Sequence, residues 1–159
     1  MASDFAEYQE IFERVGALLK ASVGFDLFTV SRLLSEGTEV ERIFTTLPSA
    51  YPVGGRKPVD HSAWNETMAR GECFVANTPQ EFGEHFKDLA VIVALGFGAV
   101  INVPVHQGPR LMGTLNLLDK SGAYRGSVVD ACQAVCQLAA RGYTAYEQFL
   151  DKNRADQTN

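Results

Sequence analysis

A chain of 159 residues falls in the size range of one domain and is long enough to enclose a core. Its net charge of −5 and sequence pI near 5.2, with basic residues scattered and only Arg56-Lys57 adjacent, weigh against the clustered cationic face that nucleic-acid binding needs. With 46% hydrophobic and 21% charged residues the composition is globular, and the longest apolar run, Leu89 to Leu95, is too short to span a bilayer, so no membrane partner is expected.

The N-terminus carries Ser3, Asp4, Glu7 and Glu10, acidic where a secretory leader would be basic and then apolar, which predicts a cytoplasmic protein. Residues 4–22 read as an amphipathic helix, because Phe5, Tyr8, Ile11, Phe12, Val15, Leu18 and Leu19 recur at three- and four-residue steps. Asp4 with Glu7 resembles a capping box, and Gly24 is the stop. Residues 25–34 and 40–47 are rich in β-branched and aromatic residues and flank Ser35-Glu36-Gly37-Thr38, so they predict a hairpin. Residues 48–58, with Pro48, Pro52, Pro58 and two glycines, predict a long loop of the kind that often carries function. Asp60 or Ser62 is placed to cap a short helix ending at Gly71. Residues 73–76 predict a short strand, and Thr78-Pro79 opens a helical stretch reaching Leu95 in two pieces around Gly83.

Residues 98–106 and 111–118 predict two apolar strands joined through Gln107-Gly108-Pro109-Arg110. A final helix starts at Ser127, with Asp130 as box partner and a stripe of Val128, Cys132, Val135, Ala139, Tyr143, Tyr146 and Leu150. Residues 153–159 read as a flexible tail beyond an ordered core of about 4–150. Hairpin-linked strands interleaved with helices predict an α+β fold in one domain over 1–159. Its sheet should be mainly antiparallel, with about five or six strands. Pro104 removes a ladder donor and suits an edge position, which conflicts with a central strand.

Three cysteines, Cys73, Cys132 and Cys136, form an odd set without disulfide-framework spacing. Cys132 and Cys136 stand one helical turn apart, which is half of a metal site. No further ligand has suitable spacing, so no metal is expected.

Within this order, Ile101-Asn102-Val103-Pro104-Val105 followed by Gly113-Thr114-Leu115-Asn116-Leu117-Leu118-Asp119 resembles the paired strand motifs of the GAF domain family. The resemblance covers nearly the whole chain, from about Phe5 to Leu150. It implies a PAS-like arrangement in which the terminal helices cover one sheet face. The middle loops and short helices then enclose a small-molecule pocket on the other. It also implies a habit of dimerising through the terminal helices, for which Phe5, Tyr8, Phe12, Tyr143, Tyr146 and Phe149 supply an apolar surface.

The catalytic and cofactor-binding subclasses of that family do not fit these residues. Where free methionine sulfoxide reductases carry a thiol and acidic groups, this chain has Val93, Val100, Asn116 and Leu118, and a thiolate with a resolving partner is required for that chemistry. The cyclic-nucleotide signature cannot be laid on Phe86-Lys87-Asp88 with proper spacing. Bilin attachment uses Cys followed by His, whereas Cys73 precedes Phe74. Gly54-Gly55-Arg56-Lys57 and Gly96-Phe97-Gly98 lack the spacing of phosphate and dinucleotide loops. No cofactor is expected.

What remains is a pocket. Asn102 and Asn116 sit on the two strands of one hairpin, facing each other if the turn centres near Pro109. Buried amides must bond each other, the backbone, water or a ligand. Thr114 shares the strand of Asn116. Tyr51, His61 and Trp64 belong to the loop and short helix expected to roof the pocket, where Trp64 and Met68 share a helix face, and Phe74 and Ile101 are expected apolar walls. His61 with Cys73 is the one nucleophile–base couple available, without a third member. His85 and His106 read as solvated. Three functions follow: a free-standing sensor or ligand-binding module for a small, partly apolar organic metabolite; a small enzyme using the same pocket; or an assembly module whose pocket is filled by side chains.

Overall fold

The structure is a computed structural model that describes residues 6–34, 37–59, 63–82 and 88–157, the side chains of 63–65 excepted. Helix α1 (Glu7–Ser22) leads into strands β1 (Leu27–Leu34), β2 (Glu39–Thr45) and β3 (Arg56–Pro58). Helix α2 (Ala63–Ala69), strand β4 (Phe74–Ala76), a 3-10 turn (Pro79–Phe82) and helix α3 (Leu89–Ala94) form the middle of the chain. Strands β5 (Ala99–Gln107) and β6 (Arg110–Asp119) and helices α4 (Val129–Ala134) and α5 (Cys136–Gln157) complete it. The six strands make one antiparallel sheet in the order β3-β2-β1-β6-β5-β4, so the α+β expectation is met.

Side chains alternate across this sheet with the period of two that a pleated strand imposes. Ile101, Val103, Val105, Leu115 and Leu117 point to one face, where they meet Phe12, Val15 and Leu19 of α1 and Tyr143 of α5. Val100 and Leu118, one residue out of step, point to the other face and join Leu27, Tyr51, Phe82, Ile92 and Phe97. Two glycines make the helix face possible. A Cβ on Gly142 would lie 2.6 Å from the Phe12 ring, so glycine lets α5 press against α1. A Cβ on Gly113 would lie 1.9 Å from the Ser31 carbonyl oxygen. That gap admits the Tyr143 hydroxyl, which donates to the Ser31 carbonyl at 2.6 Å. The β5–β6 ladder shifts register opposite this point, between Val105 and His106, as a bulge beside a strand glycine does.

Several expectations are corrected. Arg56–Pro58 is a strand and not loop: it pairs with Glu39–Glu41 at the sheet edge, where a proline is tolerated. The conflict at Pro104 resolves because β4 pairs only with Val100–Asn102, so the outer side of β5 is uncovered there, and the Pro104 carbonyl takes the Cys136 thiol at 3.8 Å. Helix α1 begins at Glu7, its cap formed by the Gln9 side chain accepting from the Ala6 N–H at 2.9 Å; Asp4 lies outside the described residues. The final helix is two helices meeting at Val135, and Ser127 makes no cap, since the capping position is Val128 without a side-chain bond. Helix α5 runs to Gln157, so 153–157 are helical where a tail is expected. The Arg154 and Asp151 side chains stand 3.9 Å apart on that last turn.

Of the aromatics expected at a dimer face, Tyr8, Phe12 and Tyr143 are buried inside one copy, while Tyr146 and Phe149 are half-buried. Phe12 and Tyr143 are 0% and 2% exposed with ring centroids 5.5 Å apart. Tyr8 is buried against Tyr146 and Phe149, at 4.8 and 5.1 Å. α1 and α5 pack side by side, so each hides the other's apolar stripe. Phe5 lies outside the described residues. Among the described residues no helix is long and apolar enough to cross a membrane.

Candidate functional site

The face of the sheet away from α1 and α5 carries a polar patch in an apolar surround. Register puts Thr29 of β1, Asn116 of β6 and Asn102 of β5 in one row across three strands, with Ser31 and Thr114 paired in the next row on that face. The Asn102 amide donates to Asn116 Oδ1 at 2.8 Å, and the Thr114 hydroxyl donates to the same oxygen at 3.0 Å. The Asn116 amide nitrogen donates to Thr29 Oγ1 at 3.1 Å and Ser31 Oγ at 3.3 Å. All four hydrogen-bonding positions of Asn116 are therefore occupied, which is how an amide this deep avoids the penalty of an orphaned polar group. The two asparagines face each other across the hairpin, as the sequence predicts. The turn between them is a two-residue loop with Gly108 at φ 60°, the glycine-first geometry of a tight hairpin.

Above this patch lies a hollow of about 80 Å³, walled by Leu27, Val40, Ile92, Val100 and Leu118 and floored by the polar row. It opens past Arg42, Tyr51, Lys57, Pro58 and Asp88 into an outer recess of about 310 Å³. The proline-rich segment supplies part of the border through Tyr51 and Pro58. A water needs about 10–15 Å³ of such space, so the inner chamber holds about six waters or an organic fragment of similar size.

The mouth is the charged end. Arg42 lies over the Tyr51 ring, 4.7 Å from its centroid, and donates to the Pro52 carbonyl at 2.9 Å. Burial is the main reason its pKa falls below the ordinary arginine value. The Tyr51 hydroxyl is 3.4 Å from Asp88 Oδ2, a long contact, and burial followed by the Asp88 charge pushes its pKa up to about 12. The other carboxylate oxygen, Asp88 Oδ1, is buried without a hydrogen-bond partner.

The expected site residues divide. Tyr51, Asn102, Thr114 and Asn116 line the hollow. Phe74 pairs with Asn102 across β4–β5 and packs half-buried against the apolar cluster on this side. Ile101 does not belong: one residue along from Asn102, it points through the sheet into the core under the helices. His61 and the Trp64 side chain lie outside the described residues, as does His85. Met68 is buried. Cys73 packs against the helix-side core near Cys136, and its thiol is pushed up to about 11, chiefly by burial. A thiol so raised stays protonated at neutral pH and faces away from the hollow, so it is no nucleophile for that chamber. Among the described residues no group of three or more His, Cys, Asp or Glu side chains is arranged to hold a metal.

Thr29, Ser31, Arg42, Lys57 and Asp88 were not singled out from the sequence. Thr29 and Ser31 alternate with Phe28 and Val30, a pattern ordinarily read as a solvent face, and only their pairing with the Asn116 strand reveals their use.

A six-stranded antiparallel sheet with helices on one face and an enclosed hollow on the other defines an α+β ligand-pocket fold. The chain matches the family model described as GAF domain over residues 7–142, and it belongs to the GAF domain family. The GAF domain of a two-component sensor histidine kinase from Bacillus halodurans superposes with a TM-score of 0.67 at 15% identity, covering 91% of this chain and 96% of that one. The red light-absorbing state of NpR6012g4, a red/green cyanobacteriochrome, gives 0.63 at 19% identity, covering 90% and 96%. The second GAF domain of DevS from Mycobacterium smegmatis gives 0.59 at 15%, covering 94% and 99%. Identities this low establish the fold. No curated protein matches the sequence. GAF domains serve as ligand-binding and sensor modules.

Proposed function

We propose that this chain is a sensor module that binds a small, partly apolar organic molecule in the hollow above Asn102 and Asn116. The observation that carries this reading is the lining: apolar walls, a floor of interlocked hydroxyls and amides, and a charged mouth. Small-molecule sites have this composition, with a few fixed polar groups setting orientation inside a mainly apolar cavity. The chamber is not packed solid by its own side chains, which argues against a pure assembly module. The enzyme alternative loses its thiol, because Cys73 sits on the other side of the sheet.

A thermal-shift screen of metabolites on the wild type and on Val100→Phe tests it. Val100 is fully buried in the wall, so a phenyl ring there occupies the chamber. A ligand at 100 times its Kd adds about 2.7 kcal/mol of stability. The expected result is at least one compound that stabilises the wild type and not the variant. Equal stabilisation of both, or none in either, would remove the reading. The module's output would be a ligand-driven change in self-association. A homodimer through the terminal helices would use what is left exposed there, such as Leu18 and the half-buried Tyr146 and Phe149. Sedimentation with and without ligand tests that part.

A further inference from the structure

Among the described residues, one buried side-chain oxygen, Asp88 Oδ1, has no hydrogen-bond partner, and Asp88 lines the hollow. Asp88 immediately precedes α3, and Ile92, one turn further on, reaches the inner chamber, so this segment presents a carboxylate at the mouth and an apolar side chain below it. Asp88 makes no side-chain cap bond to α3. Oδ2 takes a long contact from the Tyr51 hydroxyl, and Oδ1 is buried with no partner among the described residues. A buried carboxylate oxygen without a donor is expensive, and a fold keeps one where something outside the chain completes it. Neither cation at the mouth, Arg42 or Lys57, donates to Oδ1; Arg42 donates to Pro52 and stacks on Tyr51.

The floor has the opposite preference. Thr29 and Ser31 accept from the Asn116 amide, and each keeps its own O–H to give. The hollow thus offers donors at its base, apolar walls in the middle and, at a mouth bordered also by Arg42 and Lys57, an acceptor in Asp88 Oδ1 that no described group of the chain fills. We propose that Asp88 is the specificity-determining residue, taking a hydrogen bond from a protonated nitrogen, so that the site selects small amines over carboxylic acids of the same shape. This rests on the ligand-binding reading given above. A charge-assisted N–H···O bond at Oδ1 is about twice as strong as a neutral one, whereas a carboxylate placed there meets like charge. A branched chain of about five or six heavy atoms suits the chamber.

Isoamylamine, isovalerate and isoamyl alcohol share one branched body and differ in the terminal group. Each is titrated at pH 7 into the whole chain and followed by the side-chain amide NMR signals of Asn102 and Asn116. Wild type is expected to bind the amine at least about tenfold tighter than the acid, and Asp88→Asn to bring that ratio close to one. An acid that binds as tightly as the amine, or a preference that survives in Asp88→Asn, overturns the assignment while the moving amide signals keep the receptor reading intact. If no probe moves either amide up to its solubility limit, both readings fall. Melting of unliganded Asp88→Asn separates a binding role from a bracing one: relief of the orphaned oxygen predicts a melting temperature equal to or above wild type. A drop would mark the carboxylate as structural and count against the proposal.

Discussion

Asn116→Ala is the sharpest probe of the polar floor. The side chain accepts from Asn102 at 2.8 Å and Thr114 at 3.0 Å and donates to Thr29 at 3.1 Å and Ser31 at 3.3 Å. An ordinary hydrogen bond contributes about 1 kcal/mol net, and a buried partner left unmade costs about 1–3 kcal/mol. The 3.3 Å contact adds little, and water entering the hollow re-solvates some of the stranded groups. The loss should therefore be about 2–3 kcal/mol, lowering Tm by about 4–12 °C for a domain of this size. Urea unfolding should show a lower midpoint at unchanged m. Asn102→Ala breaks one of the same bonds, so the double variant should be less destabilised than the sum of the singles, by about 0.5–1.5 kcal/mol. A loss under about 1 kcal/mol, or additivity within about 0.3 kcal/mol, would show that the row is not an interlocked network.

Gly113→Ala should be severe, at least about 3 kcal/mol, because the new methyl group meets the Ser31 carbonyl at 1.9 Å and that neighbour is backbone; wild-type melting would contradict the packing described. Tyr143→Phe strands the Ser31 carbonyl by removing a 2.6 Å bond and should cost about 1–2 kcal/mol by urea titration, with an unchanged Tm counting against it. Glu41→Gln tests the ion cluster in which Glu41 bonds Arg32 at 2.8 Å and Arg56 at 3.0 Å. The loss should be about 1 kcal/mol at low salt and shrink as salt rises, and a salt-independent loss would argue against an ionic cause. The thiols supply a pH test. Cys73 and Cys132 are held up to about 11 and about 12, chiefly by burial. A folded pKa above the unfolded value favours folding while the thiol is protonated, so that contribution is complete below about pH 8.5 and is lost as pH climbs through the folded values. Thiol-reagent labelling should be slow in the native chain at pH 8 and fast in denaturant, and fast native labelling would refute the burial.

Strand periodicity made much of this legible. Ile101 to Val105 and Gly113 to Asp119 alternate about a hairpin whose turn can be located, and that alone sets Asn102 opposite Asn116. The same alternation puts Ile101, next to Asn102, on the opposite face of the sheet, so its apolar character marks core and not pocket wall. Thr29 and Ser31 were hidden because polar residues at every second position of β1 look like a solvated side until β6 is laid beside them. Asp88 was hidden because nothing local marks a carboxylate before a short helix as facing a cavity. Strand β3 is hard to see in the sequence because Pro58 argues against a ladder, which holds for a central strand and not for an edge. An apolar helix stripe reports only that something covers it, and here α1 and α5 cover much of each other's, so the stripe by itself does not mark a dimer surface.

The most direct measurement is a crystal structure of the chain with its strongest thermal-shift hit. The account places that molecule over the Asn102–Asn116 pair, within hydrogen-bond distance of Thr29 or Ser31 and with a donor on Asp88. A ligand bound elsewhere, with the chamber collapsed or occupied by protein side chains, would contradict it.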